Sequence, residues 1–236
     1  MIVVLGIDGL EHDCVERFGC RNLMQESYGA TDLSEFTEPR TVVIWSSFLA
    51  GKNLETRILS GKDLWGFRLG ADETFLSKFR RHLAIDVPGY SQDEGQHKKE
   101  REALKAFFDK KATVEEYDRI ALEWHKKIKA EFFKALEGDY DLVFGYFDAV
   151  DIVGHLSFGV EAKMRALYAE FDEIAGEVRA MKNGPVLIIS DHGFKLLGSR
   201  YGDHSDHGFW SLNSKEKLGK PKPTEFYRII AGKLGR

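Results

Sequence analysis

Three short runs of apolar residues divide the chain, and each has the pattern of a buried parallel strand. They occupy residues 2–7, 142–147 and 185–190, with the sequences IVVLGI, LVFGYF and PVLIIS. A strand covered on both faces gives such a continuous apolar run, whereas a half-exposed strand alternates apolar and polar positions. The pattern therefore predicts strands near the centre of a parallel sheet.

Two longer segments repeat apolar residues at three- and four-residue steps, which is the period of an amphipathic helix. Residues 113–137 begin with Thr113 and Glu116, the pair of a capping box, and residues 160–182 end before an Asn-Gly stop. The second helix lies between two of the predicted strands, and this order favours right-handed parallel crossovers. We predict an α/β protein with three layers, α/β/α, and a mostly parallel central sheet.

One stretch departs from this alternation of strands and helices. Residues 88–111 (PGYSQDEGQHKKEREALKAFFDKK) are polar, charged and glycine-containing before they become helical. This composition suits a mobile lid or a small cap, and equally a solvated loop followed by one surface helix. The length of 236 residues fits one large α/β domain. We predict a single catalytic domain over 1–236, in which 88–111 is either a small lid or cap or a surface loop and helix.

Composition narrows the class of protein. The chain is 43% hydrophobic and 12% aromatic, which is enough for a full core, and its net charge of −4 gives no support for a nucleic-acid partner. Cys14 and Cys20 match neither a metal knuckle nor a disulfide framework. The apolar N-terminus lacks a basic start and predicts a strand, not a signal peptide, and no run reaches the ~20 apolar residues of a membrane span. We expect a cytoplasmic protein without a membrane partner.

Acidic residues and histidines follow the predicted strands at the point where each strand ends. Asp8 follows the first, Asp151 and His155 come shortly after the second, and Asp191 and His192 follow the third. Because ligands bind beyond the carboxyl ends of parallel strands, we expect these side chains to share one edge of the sheet. Each taken alone fits a helix cap or a surface histidine, but carboxylates gathered together repel one another unless a cation neutralises them.

Two further segments carry candidate residues. Thr41 follows Pro39 at the head of an apolar segment that ends at Gly51, so its hydroxyl either faces a bound anion at a helix N-terminus or serves as an N-cap. The loop 203–208 (DHSDHG) contains His204 and His207.

The donors are numerous enough for two metal ions. Asp8, Asp191, His192 and the Thr41 oxygen would form one four-donor site, and Asp151, His155 and His207 a second with an open position. Mixed carboxylate and imidazole ligands suit Zn²⁺, with Mn²⁺ or iron as alternatives. Two such ions roughly 4 Å apart can clamp the attacking and leaving oxygens of a phosphoryl transfer.

Five short motifs give a family resemblance. They are GIDG, PRTVVIWSSFLAG, DIVGH, SDHGF and HGFW, in this order over residues 6–209. The chain resembles the alkaline phosphatase superfamily, and within it the type I phosphodiesterase/nucleotide pyrophosphatase branch. It departs from the family pattern at Val43, where a proline is more frequent, and it is short for the family.

The resemblance implies a role for each candidate residue. Thr41 would be the nucleophile at the metal held by Asp8, Asp191 and His192, while Asp151, His155 and His207 would hold the other metal. His207 is preferred over His204 because the family's last histidine precedes a glycine and an aromatic residue.

The implied activity is hydrolysis of a small-molecule phosphate ester, most simply a phosphodiester or nucleotide pyrophosphate, through a phospho-threonine. Alternatives with the same site are a phosphomonoesterase, a phosphonate hydrolase or a sulfatase, and a metal-stabilised binding protein without turnover is the non-enzymatic alternative. Substrate specificity would come from loops such as 52–72 and 88–111, and the oligomeric state stays open.

Overall fold

A central six-stranded sheet organises the protein, whose computed structural model describes residues 1–234. Two further strands form a separate antiparallel hairpin. The sheet strands are β1 (Ile2–Ile7), β2 (Ser27–Ala30), β3 (His82–Ile85), β4 (Leu142–Phe147), β5 (Val186–Ile189) and β8 (Phe209–Leu212), and the hairpin strands are β6 (Phe194–Leu197) and β7 (Tyr201–His204).

The strand order in the sheet is β2-β8-β5-β1-β4-β3. The four strands β5, β1, β4 and β3 run parallel, β8 is antiparallel to β5, and β2 is antiparallel to β8. The sheet is therefore mostly parallel, as predicted. Two of its inner strands, β1 and β4, are buried along their whole length, which explains their continuous apolar sequences.

Helices connect the strands and cover both faces of the sheet. The α-helices are α1 (His12–Phe18), α2 (Arg21–Met24), α3 (Thr41–Ala50), α4 (Glu55–Leu59), α5 (Glu94–Phe108), α6 (Val114–Leu136), α7 (Ala149–Ser157), α8 (Glu161–Met181) and α9 (Phe226–Arg228). Short 3₁₀ turns occupy Ala71–Glu73, Phe75–Lys78 and Pro223–Glu225, and a π-helical turn occupies Ile229–Leu234.

The alternation of side chains along β1 separates two hydrophobic cores. Val3, Leu5 and Ile7 pack into the core formed with α6, α7 and α8, whereas Ile2 and Val4 pack into the core formed with α3 and α4. Each face of the sheet is thus covered by its own helical layer. The predicted three-layer α/β/α fold is confirmed.

The predicted helices match the structure within one residue at each end. The helix α6 begins after Thr113, whose hydroxyl accepts a hydrogen bond from the Glu116 N–H, while the Glu116 carboxylate accepts one from the Thr113 N–H. The helix α3 ends at Gly51, which adopts a left-handed conformation with φ 66°. Local capping chemistry therefore fixed these boundaries.

The segment 88–111 folds mostly as the helix α5, which packs against α6. Its N-cap is Asp93, whose carboxylate accepts a hydrogen bond from the Gln96 N–H at 2.8 Å. That this segment moves as a lid stays a prediction. No helix in the described part of the chain is long and apolar enough to cross a membrane.

Candidate metal centre and adjoining cleft

The register of the parallel strands brings the candidate carboxylates to one edge of the sheet. Ile7 lies opposite Phe147, and Gly6 lies opposite Ile189, so β1, β4 and β5 end nearly level. Asp8 follows β1 directly, Asp191 follows β5 by two residues, and α7 begins just after β4 and carries Asp151. Three separate segments therefore deliver an acid to the same place.

Asp8, Asp191 and His192 form a fully buried cluster. One ligand atom from each lies within 4.8 Å of the others. The His192 Nε2 atom lies 3.3 Å from Asp8 Oδ1 and 3.4 Å from Asp191 Oδ2, and 3.8 Å from Asp151 Oδ1. These distances leave room for a small cation between the donor atoms.

The protonation state of His192 indicates that this cluster needs a cation. Its Nδ1 atom lies 3.1 Å from the Gly193 carbonyl oxygen, which can only accept, so Nδ1 carries the hydrogen. Burial lowers the pKa of His192 to about 3, so the ring is neutral and Nε2 presents a lone pair to the carboxylates. A lone pair facing carboxylate oxygens is repulsive unless a cation lies between them.

The carboxylates of this site also lack partners for their buried oxygen atoms. Within residues 1–234, Asp8 Oδ1, Asp151 Oδ1 and both oxygens of Asp191 are buried without a hydrogen-bond donor. Burial, and then the charge of Asp151, raises the pKa of Asp8 to about 7, and burial followed by the charge of Asp8 raises the pKa of Asp191 well above its usual range. Buried, unsatisfied carboxylates are costly, and a divalent cation would satisfy them.

A second cluster adjoins the first and includes His204. Ligand atoms of Asp151, His192 and His204 lie within 4.8 Å of one another. His155 extends this group, because its Nε2 atom lies 3.4 Å from Asp151 Oδ2 and 3.4 Å from His204 Nε2. The His204 ring also stacks on His192 with a centroid distance of 3.6 Å. The structure thus gathers Asp151, His155 and His204.

His207 lies apart from this group. Its Nε2 atom is 2.9 Å from Glu11 Oε1, and its Nδ1 atom is 3.0 Å from Asp206 Oδ1, so both ring nitrogens already have partners. The other oxygen of Glu11 accepts hydrogen bonds from the Phe194 N–H and the Ser205 hydroxyl. The choice of His207 over His204, which the resemblance implied, therefore has no support in the geometry: His207 belongs to a hydrogen-bond network that anchors the loop.

The ion pair of His207 predicts a pH-dependent contribution to stability. The hydrogen bond to Glu11 raises the pKa of His207 to about 9, above the unfolded value of about 6.5. Its contribution is therefore complete near pH 6 and is lost as the pH rises through about 9. We expect His207→Gln to lower the free energy of unfolding of the metal-depleted protein by about 1 to 3 kcal/mol near pH 6.

Urea unfolding of the wild type and of His207→Gln at the two ends of this pH range measures the effect. Asp206→Asn is the control, since Asp206 is fully exposed and a surface pair contributes little. An equal loss of stability at low and high pH would contradict the ion-pair role. A loss of bound metal in His207→Gln would instead support His207 as a ligand.

Thr41 lies in a cleft beside the second cluster. It opens α3, and the N-cap is Arg40, so the alternative role of Thr41 as the N-cap is wrong. In the described structure the Thr41 side chain makes no hydrogen bond to the protein. It lines a cleft of about 270 Å³ together with Asp151, His155 and His204. A free hydroxyl thus faces the same space as the clustered metal-capable side chains.

Sequence reasoning missed two residues that support this site. The Tyr146 hydroxyl donates a hydrogen bond to Asp8 Oδ2, and Glu11 organises the loop around His207. Of the two histidines that the sequence offered, His204 lies in the second cluster and His207 lies outside it. Glu11 follows Asp8 by three residues at the same edge of the sheet, which is a signal that could have identified it. Tyr146 lies in a continuous apolar run and gave none.

Comparison with known proteins gives a fold but no sequence family. No family model matches the chain, and no curated protein matches it significantly. Among solved structures, a variant of the alkaline phosphatase from the Antarctic bacterium TAB5, with magnesium bound in its M3 site, has a TM-score of 0.55 at 13% identity, and the match covers 100% of this chain and 98% of that one. Murine ectonucleotide pyrophosphatase/phosphodiesterase 5 has a TM-score of 0.49 at 14% identity.

The match to the TAB5 enzyme identifies the architecture. This chain has an alkaline-phosphatase-like α/β fold, which confirms the fold that the motif resemblance implied. The match to the murine protein covers 84% of this chain and 58% of that one, so this chain spans less than two thirds of its length.

Proposed function

We propose that this protein is a metal-dependent hydrolase of small-molecule phosphate esters, with phosphodiesters or nucleotide pyrophosphates as its preferred substrates. The observation that carries the proposal is the buried cluster of Asp8, Asp191 and His192, whose unsatisfied donor atoms lie beside a cleft containing Thr41. An enzyme needs both parts, a charged centre and a reachable nucleophile. The order of the sequence motifs over residues 6–209 supports the same function.

The donor set fits two divalent ions. Asp8, Asp191 and His192, with the Thr41 oxygen, would hold the first. We propose Asp151, His155 and His204 for the second, replacing His207, because their ligand atoms lie 3.4 to 3.5 Å apart in pairs. Imidazole and carboxylate ligands in this ratio suit Zn²⁺, with Mn²⁺ or iron as alternatives.

The residues of the chain define the proposed chemistry. Bound metal would acidify the Thr41 hydroxyl and neutralise charge on the phosphoryl oxygens. The Thr41 oxygen attacks phosphorus, the bond to the leaving oxygen breaks, and a phospho-threonine forms that water then hydrolyses. Tyr146 fixes the orientation of the Asp8 carboxylate through its hydrogen bond, and the Gly193 carbonyl fixes the ring of His192.

The walls of the cleft favour diesters over monoesters. Trp65, Leu104 and Ile152 line the cleft and offer apolar contact to a second ester group. A phosphomonoesterase, phosphonate hydrolase or sulfatase would use the same centre and is the alternative.

Chromogenic substrates test this proposal directly. We expect hydrolysis of bis-p-nitrophenyl phosphate to exceed that of p-nitrophenyl phosphate and p-nitrophenyl sulfate at equal concentrations. Chelation should abolish the activity and added Zn²⁺ or Mn²⁺ should restore it, because the buried carboxylates need a cation. Faster turnover of the monoester or the sulfate would select the alternative. No turnover of any of them with added metal would favour a metal-stabilised binding protein.

A further inference from the structure

A groove extends the cleft away from Thr41. Trp65, His97 and Arg101 line the cleft and also an adjoining cavity of about 190 Å³, which runs between α5 and the loop at Asp63. The two cavities share these walls, so they adjoin one another at Trp65, His97 and Arg101, and together they form the groove. The groove is therefore where the part of a substrate beyond the reacting phosphorus would lie.

The wall of this groove is held in place by hydrogen bonds. The Asp63 Oδ1 atom accepts from the Trp65 N–H at 3.1 Å and from the Gly66 N–H at 3.0 Å. Arg68 donates to the Trp65 carbonyl at 3.0 Å and to the Gln92 carbonyl at 3.1 Å, joining the loop to the segment before α5. Trp65 is thus pre-positioned, although its side chain remains 37% exposed.

Arg101 has no acidic partner in this wall. Its guanidinium lies 4.6 Å above the Trp65 ring, and its Nη1 atom is buried without a hydrogen bond in the described structure. Two of the nearby acids have other partners, since Asp63 accepts backbone N–H groups and Glu94 pairs with Arg68 at 3.1 Å. A buried guanidinium nitrogen without an acceptor is costly, and an anionic ligand would remove that cost.

His97 adds a second unsatisfied nitrogen on the same wall. Its ring lies 4.8 Å from the Trp65 ring, and its Nε2 atom is buried without a partner within residues 1–234. Glu100 also lines the cleft but faces the opposite side of this histidine, where its Oε2 atom lies 3.8 Å from His97 Nδ1. Arg101 and the Nε2 side of His97 therefore form the polar end of the groove.

We propose that Arg101 binds a second anionic group of the substrate, while Trp65 packs against the organic part that joins this group to the reacting phosphorus. This inference rests on the proposed phosphoesterase function and narrows its substrate class. The preferred substrates are phosphate esters that carry a further carboxylate, sulfonate or phosphate on the ester group. A planar guanidinium suits such groups because it can donate two parallel hydrogen bonds.

Two matched diesters test the proposal. Methyl 4-(carboxymethyl)phenyl phosphate carries the second anion, and its primary-amide analogue has the same shape without the charge. The metal-loaded wild type should hydrolyse the carboxylate ester with a kcat/KM about tenfold or more above that of the amide, mainly through a lower KM. Equal values for the two esters would overturn the inference while leaving the proposed function intact. No hydrolysis of either ester would overturn both.

Variants of Arg101 identify the residue responsible. Arg101→Gln should bring the ratio of the two kcat/KM values close to one, and Arg101→Glu should invert it. Arg119→Gln is the matched control, an exposed arginine on α6 outside the groove, and should keep the wild-type ratio. If Arg101 had only a structural role, Arg101→Gln would hydrolyse both esters more slowly by the same factor. The ratio of the two kcat/KM values would then stay at its wild-type value, and that result would refute the assignment.

Discussion

Replacing Thr41 with alanine should abolish phosphodiester hydrolysis. Loss of a covalent nucleophile costs at least about a thousandfold in kcat. The stability of the folded protein should change little. The Thr41 hydroxyl makes no hydrogen bond to the described residues, and Arg40, not Thr41, is the N-cap of α3. We expect a change in the free energy of unfolding within about 0.5 kcal/mol.

Thr41→Ser separates the nucleophile from other roles. Serine keeps an oxygen at this position, so this variant should retain part of the activity. Acid quenching during turnover of a diester, followed by mass spectrometry, should find one phosphoryl group, still carrying the retained ester group, on the peptide containing Thr41 in the wild type and none in Thr41→Ala. Thr56→Ala is a suitable control, since Thr56 is an exposed threonine in the first turn of α4.

Two results would end the assignment of Thr41. One is near-normal hydrolysis by Thr41→Ala. The other is a phosphorylated peptide in Thr41→Ala at the wild-type level, which would place the intermediate on another residue.

Removing two residues of the cluster formed by Asp8, Asp191 and His192 should also have a large effect, a loss of bound metal. The double variant Asp191→Ala, His192→Ala should retain less than about half of the metal bound by the wild type, because both residues belong to one cluster and His192 also adjoins the other. Elemental analysis of protein purified without chelator measures this, and we expect up to two equivalents in the wild type. Activity should fall with the metal content.

Removal of a ligand carboxylate should lower metal binding but raise the stability of the metal-free protein. Burial raises the pKa of Asp191 well above its usual range, with the charge of Asp8 as the next cause, so the ionised form is destabilised in the fold. Asp191→Asn replaces this acid with a neutral side chain of similar size and should raise the unfolding temperature of the chelator-treated protein. The same variant should gain less stability than the wild type when metal is added.

A neighbouring pair of the same residue types, outside both clusters, serves as the control. His12 and Asp13 are neighbours in sequence with a contact of 3.2 Å, and Asp13 is 86% exposed at the side chain. The double variant His12→Ala, Asp13→Ala should keep its metal. Wild-type metal content in the Asp191→Ala, His192→Ala variant would rule out the first cluster as a metal site.

The sequence by itself determined the layers of the fold and the edge that carries the site. Continuous apolar runs become β1 and β4 because both faces of a central parallel strand are covered. Since parallel strands end at a common edge, Asp8, Asp151 and Asp191 had to approach one another once the runs were read as strands. The local hydrophobic pattern and the parallel direction of the strands were sufficient for these conclusions.

Tertiary structure decided which histidine joins the cluster. His204 and His207 occupy one short motif, and nothing local distinguishes them as ligands. The pairing of Phe194 with His204 in the β6–β7 hairpin sets His204 over the His192 ring, and the following turn directs His207 to Glu11. The positions of His204 and His207 thus depend on the register of the hairpin and on Glu11, which lies 196 residues from His207 in sequence.

Tertiary structure also decided the chemistry of the cleft walls. The sequence marked 52–72 and 88–111 as segments that would set specificity, but it gave no role to Trp65 or Arg101. Their meeting depends on the packing of α5 against α6 and on the hydrogen bonds of Arg68 to the loop. Because neither segment has a periodic pattern that fixes its position relative to Thr41, only the packed structure brings an unpaired guanidinium into the cleft.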